Sequence, residues 1–180
     1  MQIRKQAIVD ASADEVWSVV AHEFDRIGSW ATAVPASREA AHAAAPAGCP
    51  VGGRTCQTTM RKFPEAEERI VSYDEPGRTL TYEPVRGMPG FVASARNTWR
   101  VVAIDDRRSQ VSFAATVTTR GLAGPLMALV MRLGMGRVGV HVLDDLRHYV
   151  EHKKLSPRKQ RQLDRASVWS RHAARHGGAA

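Results

Sequence analysis

The sequence predicts an α+β domain in which a curved antiparallel sheet wraps around one long C-terminal helix and leaves a hydrophobic cavity between them. Three observations predict it. From residue 54 onward, apolar and polar residues alternate with period two for over sixty residues, the pattern of half-buried strands. The joints within that run, "FPEA", "DEPG", "RGMPG" and "DDRRS", are short and turn-like, which makes consecutive strands antiparallel neighbours in a meander. The last long element, residues 122–152, is helical in pattern and is what remains to cover the apolar face of the sheet. One helix cannot fill the concavity of a six- or seven-stranded sheet, so a mostly apolar pocket follows, of the kind that holds small molecules.

The elements follow in order. Residues 2–10 alternate loosely as a first strand and lead into "ASADEVWSVVAH", where Ser12 or Asp10 can cap a helix carrying Asp14 and Glu15 in its first turn. Val16, Val19 and Val20, with Trp17 beside them, form its apolar face, and Phe24, Ile27 and Trp30, three apart, mark a second short helix. "ASREAAH" reads as an edge strand and "AAAPAGCPVGG" as a loop. Strands are expected at about 54–62, 66–73, 78–85, 91–104 and 109–119. In the long helix, Val142, Leu143, Leu146, Tyr149 and Val150 share one face, with His141, Asp144, Asp145, His148 and Glu151 opposite. Gly134, Gly136 and Gly139 each cost about 1 kcal/mol against Ala there, which points to a bend or a close approach to the sheet. A further helix starts with Ser156 as N-cap and Pro157 at the first helical position.

Bulk properties exclude several classes. A chain of 180 residues, 43% hydrophobic and 24% charged, has the length and composition of one globular domain. Two cysteines, Cys49 and Cys56, and an N-terminus without an apolar signal core give a reducing cytoplasm as the expected location. The most apolar run, residues 122–143, is interrupted by Arg132, Arg137 and His141 and falls short of a transmembrane span. The formal charge of +8 suggests nucleic acid until its location is examined. Residues 153–180 hold eight Lys and Arg against one acid, Asp164, and so carry seven of those eight net charges. The body is nearly neutral, which removes the charge argument for nucleic-acid binding. The expected organisation is a ligand-binding domain over residues 1–155 and a basic extension over 156–180, partly helical or disordered. That extension, with Leu163, Ala166 and Trp169 at helical spacing, is either a solvated end or a contact for anionic membrane or an acidic protein.

Parity assigns the candidate site. In "ASARNTWRV", Arg96, Thr98 and Arg100 share one strand face and Ala95, Asn97, Trp99 and Val101 the other. The arginines belong to water, which turns Asn97 and Trp99 toward the cavity. An Asn among apolar neighbours must find hydrogen-bond partners, either a ligand carbonyl or hydroxyl or a neighbouring protein group. By the same parity Leu80 with Tyr82, then Cys56, Thr58 and Met60, and then Val111, Phe113 and Ala115 form inward sets. Met127, Val130 and Met131 are the candidates from the helix, since methionine adapts to irregular ligands. The expected ligand contacts are thus Trp30, Cys56, Met60, Tyr82, Asn97, Trp99, Phe113, Met127 and Met131. Each alone reads more readily as ordinary core than as a ligand contact; together they describe a pocket. Tyr82 and Asn97 are the candidates for chemistry, Tyr82 as proton donor or anchor, with Glu83 or Arg86 assisting at the rim. His141, Asp145 and His148, spaced i, i+4 and i+7, could ligate a metal but read better as a solvated face. No metal site and no cofactor is expected, for the chain has no glycine-rich nucleotide motif and no Ser, His and acid arrangement at recognisable spacing.

"IVDASADEVWSVVAHEFDRIGSW", "YEPVRGMPGFVASARNTWRV" and "LDDLRHYVEHKKL" resemble the helix-grip superfamily called SRPBCC. It includes START lipid-binding domains, birch-pollen-allergen-like proteins and the polyketide cyclase/dehydrase group, which this chain resembles most. The resemblance covers residues 1 to about 155 and rests chiefly on the "VW" of the first helix together with the "TW" strand. It implies an elongated hydrophobic cavity under the C-terminal helix. It leaves three readings open: a binder of a lipid, polyketide or aromatic metabolite; a polyketide cyclase or dehydratase, such as an aromatase, working largely by proximity; or a non-catalytic interaction protein acting through its basic tail.

Overall fold

In the computed structural model the backbone is described for residues 1–41, 43–121 and 124–176, and the side chains for 1–41, 43–121, 134 and 136–167. The chain runs β1 (Gln2–Val9), α1 (Ala13–Trp17), two short turns of π- and 3₁₀-helix (Ser18–His22 and Phe24–Arg26), α2 (Ile27–Trp30), β2 (Ser37–Glu39), β3 (Gly53–Gln57), β4 (Glu65–Asp74), β5 (Thr79–Arg86), β6 (Val92–Asp105), β7 (Arg108–Thr119), α3 (Gly124–His152) and α4 (Pro157–His176). The strands form one antiparallel sheet in the order β1-β7-β6-β5-β4-β3-β2. This is the expected meander, with β1 returning to pair with the last strand. Register shifts in β4 between Ile70 and Ser72, and in β6 near both ends, are irregularities of the kind that bend a strand and curve a sheet.

Local chemistry explains the ends of the elements. Ser12 caps α1 in a reciprocal capping box with Glu15, so it and not Asp10 serves as the cap. Ser156 Oγ accepts from Lys159 N at 3.2 Å at the head of α4. Gly87 closes the β5–β6 turn at φ 80°, where a Cβ would run into the backbone of Glu65. β3 stops at Gln57, five residues short of the expected end. Thr58 Oγ1 donates to Phe63 O and Thr58 N to Pro64 O, so residues 58–64 close a compact loop instead of extending the ladder.

The core lies between the concave sheet face, α1 and the second half of α3. Val9, Leu80, Trp99, Val101 and Val111 from the sheet meet Val16, Trp17 and Val20 from the first helical segment and Leu143, Leu146 and Val150 from α3. Each such side chain contributes roughly 1.5–3 kcal/mol by leaving water. α3 packs on β1 and β7, and the close approach expected of its glycines occurs at Gly139. A Cβ there would meet Lys5 Cγ at 3.3 Å and Phe113 Cδ1 at 3.8 Å, whereas at Gly134 it would meet no described atom within 4 Å. Among the described residues, no helix is long and apolar enough to cross a membrane.

Candidate functional site

Between the middle of α3 and the sheet lies a cavity of about 500 Å³. Strand parity builds its floor. Arg54 and Cys56 of β3, Ala66 and Glu68 of β4, Tyr82 of β5, Asn97 and Trp99 of β6 and Phe113 of β7 all present the same sheet face. Gly134, Val138, Gly139 and Val142 of α3 form the roof, and Met88, Pro89 and Phe91 of the β5–β6 turn, with Thr58, Thr59 and Met60, form the rim. Ile27 and the loop residues Ala33 and Val34 complete it. Trp99 and Phe113 are cross-strand partners with ring centroids 5.0 Å apart, giving the floor a rigid aromatic pair.

One wall is polar. Arg54 and Glu68 face each other across β3 and β4, and Arg54 Nε donates to Glu68 Oε2 at 2.6 Å. Arg54 Nη1 donates to Phe24 O at 3.0 Å, and its guanidinium lies 3.9 Å over the Phe24 ring and 4.9 Å from that of Tyr82. Arg54 is 97% buried, with its charge met by the Glu68 carboxylate. Tyr82 stands opposite Asn97 across β5 and β6. Asn97 Oδ1 is buried with no hydrogen-bond partner among the described residues, an arrangement that costs about 1–3 kcal/mol unless something occupies it.

These surroundings fix protonation. Burial would lower the Arg54 pKa, but the Glu68 carboxylate outweighs it and holds the guanidinium charged. Burial first, and the Glu68 charge second, raise the Tyr82 phenol above its ordinary value, so its hydroxyl is a donor at neutral pH. Burial pushes the Cys56 thiol up to about 11. It is therefore a thiol at neutral pH and a poor nucleophile. The wall offers hydrogen bonds and a mutually neutralised ion pair, not covalent chemistry. Among the described residues, no group of three His, Cys, Asp or Glu is placed to hold a metal ion.

Of the residues expected to meet a ligand, Cys56, Met60, Tyr82, Asn97, Trp99 and Phe113 line this one cavity. Met60 does so from the loop after β3, not from a strand, and is 43% exposed. Trp30 does not line it. α2 turns Ile27 to the cavity, and Trp30, 2% exposed, packs into the core. The side chains of Met127 and Met131, like that of Val130, lie outside the described residues. Glu83 and Arg86 are also not at the cavity: Glu83 accepts from Arg96, and Arg86 pairs with Glu67 at 3.5 Å.

Asp145 corrects the sequence reading most clearly. It was expected on the solvated face of α3 and is wholly buried, because chain from both sides closes over it. It accepts from Thr32 N at 2.8 Å, from Ser156 Oγ at 2.6 Å and from Arg158 at 3.4 Å. Lys159 completes the clamp from α4. Its Nζ donates to Ala31 O at 3.2 Å, Val34 O at 3.0 Å, Pro35 O at 3.2 Å and Gln162 Oε1 at 3.0 Å. The loop carrying Ala33 and Val34 to the cavity is thus held by α3 and α4 together. Lys159, one of the eight cations counted in residues 153–180, is thus not on the surface at all.

Known proteins match this architecture. The family described as polyketide cyclase / dehydrase and lipid transport matches residues 1–151. No curated protein matches the sequence. Among solved structures, the Zhui aromatase/cyclase from Streptomyces sp. R1128 is similar at 16% identity, over 87% of this chain and 99% of that one, with a TM-score of 0.60. The di-domain ARO/CYC BexL from the BE-7585A biosynthetic pathway is similar at 18% identity over 84% of this chain and 46% of its own, with a TM-score of 0.65. A START superfamily protein from Mycobacterium smegmatis gives 13% identity, 85% and 99% coverage and a TM-score of 0.63. At such identities the likeness shows the fold, which is the helix-grip arrangement of a curved sheet around a C-terminal helix. With the match spanning most of its length, the chain belongs to the polyketide cyclase/dehydrase and lipid transport family.

Proposed function

We propose that the protein binds a small, mostly apolar molecule in the cavity under α3 and orients it by hydrogen bonds to Tyr82 and Asn97. The observation that carries this reading is a cavity of about 500 Å³ whose surface is apolar apart from one polar wall. That volume suits a molecule of drug-like size, and Asn97 Oδ1, without a hydrogen-bond partner among the described residues, lies beside the position such a molecule would take. Native mass spectrometry of the purified protein, followed by denaturation and extraction, tests it directly. A bound species of defined mass, or thermal stabilisation by members of an apolar panel, is the expected result. An empty protein that no member of the panel stabilises would end the proposal.

A second reading has one observation in its favour. The Tyr82 hydroxyl, kept protonated by burial, stands near a permanent cation, which is a fitting arrangement for polarising a ligand carbonyl and supplying a proton. Cyclisation or dehydration of the bound molecule would then proceed mainly by proximity and orientation; two structural relatives are described as an aromatase/cyclase and a di-domain ARO/CYC. Tyr82→Phe separates the two readings. A catalyst loses turnover at least tenfold while keeping affinity within about threefold; a binder shows no turnover to lose.

A further inference from the structure

Among the described residues that line the cavity, Arg54 and Glu68 are the charged ones, and they are bonded to each other at 2.6 Å. Their side chains are 4% and 17% exposed, so neither is hydrated as a surface ion is. The Arg54 guanidinium is committed three ways, to the carboxylate, to Phe24 O and to the Phe24 ring. An anionic ligand entering this cavity would shed its water and find a wall of zero net charge that already presents a carboxylate. Among the described lining residues no unpaired cation is there to repay the desolvation of its charge. A neutral molecule with a hydroxyl, ketone, ester or amide group meets no such penalty and can still hydrogen-bond to Tyr82 and Asn97.

We infer that Glu68 sets the charge of the ligand. By cancelling Arg54 it makes the cavity a site for an uncharged apolar molecule and turns away the carboxylate of the same skeleton. This rests on the binding reading above and specifies its ligand class. The assignment to Glu68, beyond the general aversion of apolar cavities for ions, follows from the geometry. Without the Glu68 charge, Arg54 would be a buried cation with neutral partners, and an anionic ligand would become its natural counter-ion.

Matched pairs test this at pH 8, where the acids are ionised: dodecanol against dodecanoate, and 2-naphthamide against 2-naphthoate, titrated calorimetrically. Wild type is expected to bind the neutral member of each pair at least tenfold more tightly. In Glu68→Gln, whose amide oxygen can still accept from Arg54 Nε, that preference should shrink to within threefold or reverse. The double variant R54M/E68M, which removes both charges, should keep the wild-type preference and carries the comparison if Glu68→Gln fails to fold. Dodecanoate or 2-naphthoate binding wild type as tightly as its partner would overturn the inference. So would a folded Glu68→Gln with the full preference, or a double variant that has lost it. If neither member of either pair binds wild type and no other apolar probe does, the binding reading itself has failed; probe binding without discrimination defeats the Glu68 assignment alone.

Discussion

Tyr82 and Asn97 are directly opposed across β5 and β6, and both side chains line the cavity. The pairing sets a donor that stays protonated beside an amide whose oxygen is buried and unpartnered among the described residues. Buried polar groups of that kind are a cost to the fold, and the cost is reasonable only where a ligand benefits from it.

Asn97→Leu should therefore stabilise the ligand-free protein, by about 1 kcal/mol, because it replaces an unsatisfied buried amide by an apolar side chain of similar size. Urea unfolding followed by tryptophan fluorescence measures it. The same variant should show a smaller thermal shift than wild type with any probe that carries a hydrogen-bonding group. A destabilised Asn97→Leu would mean that the amide is bonded within the protein.

Arg54 and Glu68 should behave as a coupled pair. Arg54→Met leaves the Glu68 carboxylate without its partner and is expected to cost about 3–5 kcal/mol, whereas R54M/E68M should fall near wild type. A double-mutant cycle in urea gives the coupling. Additive single losses would show that the two charges do not depend on each other.

Lys159 anchors α4 to the 31–35 loop. Lys159→Met removes the donor from three backbone carbonyls of the 31–35 loop and should cost about 3 kcal/mol. Exposed Arg161→Met, one helical step away, should stay within about 0.5 kcal/mol of wild type. Because Ala33 and Val34 of that loop line the cavity, hydrogen exchange in residues 31–35 should rise in Lys159→Met. Equal melting of the two variants would contradict the clamp.

Glu75 gives a pH signature. Its carboxylate accepts from the Tyr73 hydroxyl, from Trp17 Nε1 at 2.8 Å and bonds to His22 Nε2 at 3.0 Å. The Tyr73 bond first, then Trp17 and His22, lower its pKa below the ordinary carboxylate value. A carboxylate depressed in the folded state contributes stability that is fully present above its unfolded pKa and is lost as pH falls through the folded value. Wild-type stability should thus decline below about pH 4.3, and Glu75→Gln should flatten part of that decline while lowering stability at pH 7. Parallel acid-arm curves for the two proteins would remove Glu75 from the account.

Particular residues show what the sequence reveals and what it withholds. The alternation in "ASARNTWRV" places Asn97 and Trp99 on the cavity side and leaves Arg96 and Arg100 exposed, as the structure has them, because a strand has a strict two-residue period. Arg54 obeys the same parity with Cys56, but a basic residue at a strand position reads as a surface residue. Its burial depends on Glu68, fourteen positions away, which the β3–β4 register brings opposite. Asp145 lies off the apolar stripe of α3, and a helix read alone gives no sign that Thr32 and Ser156 will cover it. Trp30 misled because apolar spacing says that a residue is buried and not whether it faces a cavity or packing. In each case the hidden information is long-range pairing.

The central claim is that the space between α3 and the sheet holds a small apolar molecule, and Gly134 offers the most direct test. It lines the cavity, and a Cβ there meets no described atom within 4 Å, so Gly134→Phe should project its ring into the space. Phe is also the better helix residue, by roughly 0.5 kcal/mol. Native mass spectrometry of wild type and Gly134→Phe, each incubated with dodecanol and 2-naphthamide, is the deciding measurement. One-to-one uptake by wild type and at least tenfold less by a folded Gly134→Phe is the predicted result; equal uptake by the two, or none by wild type, would contradict the account.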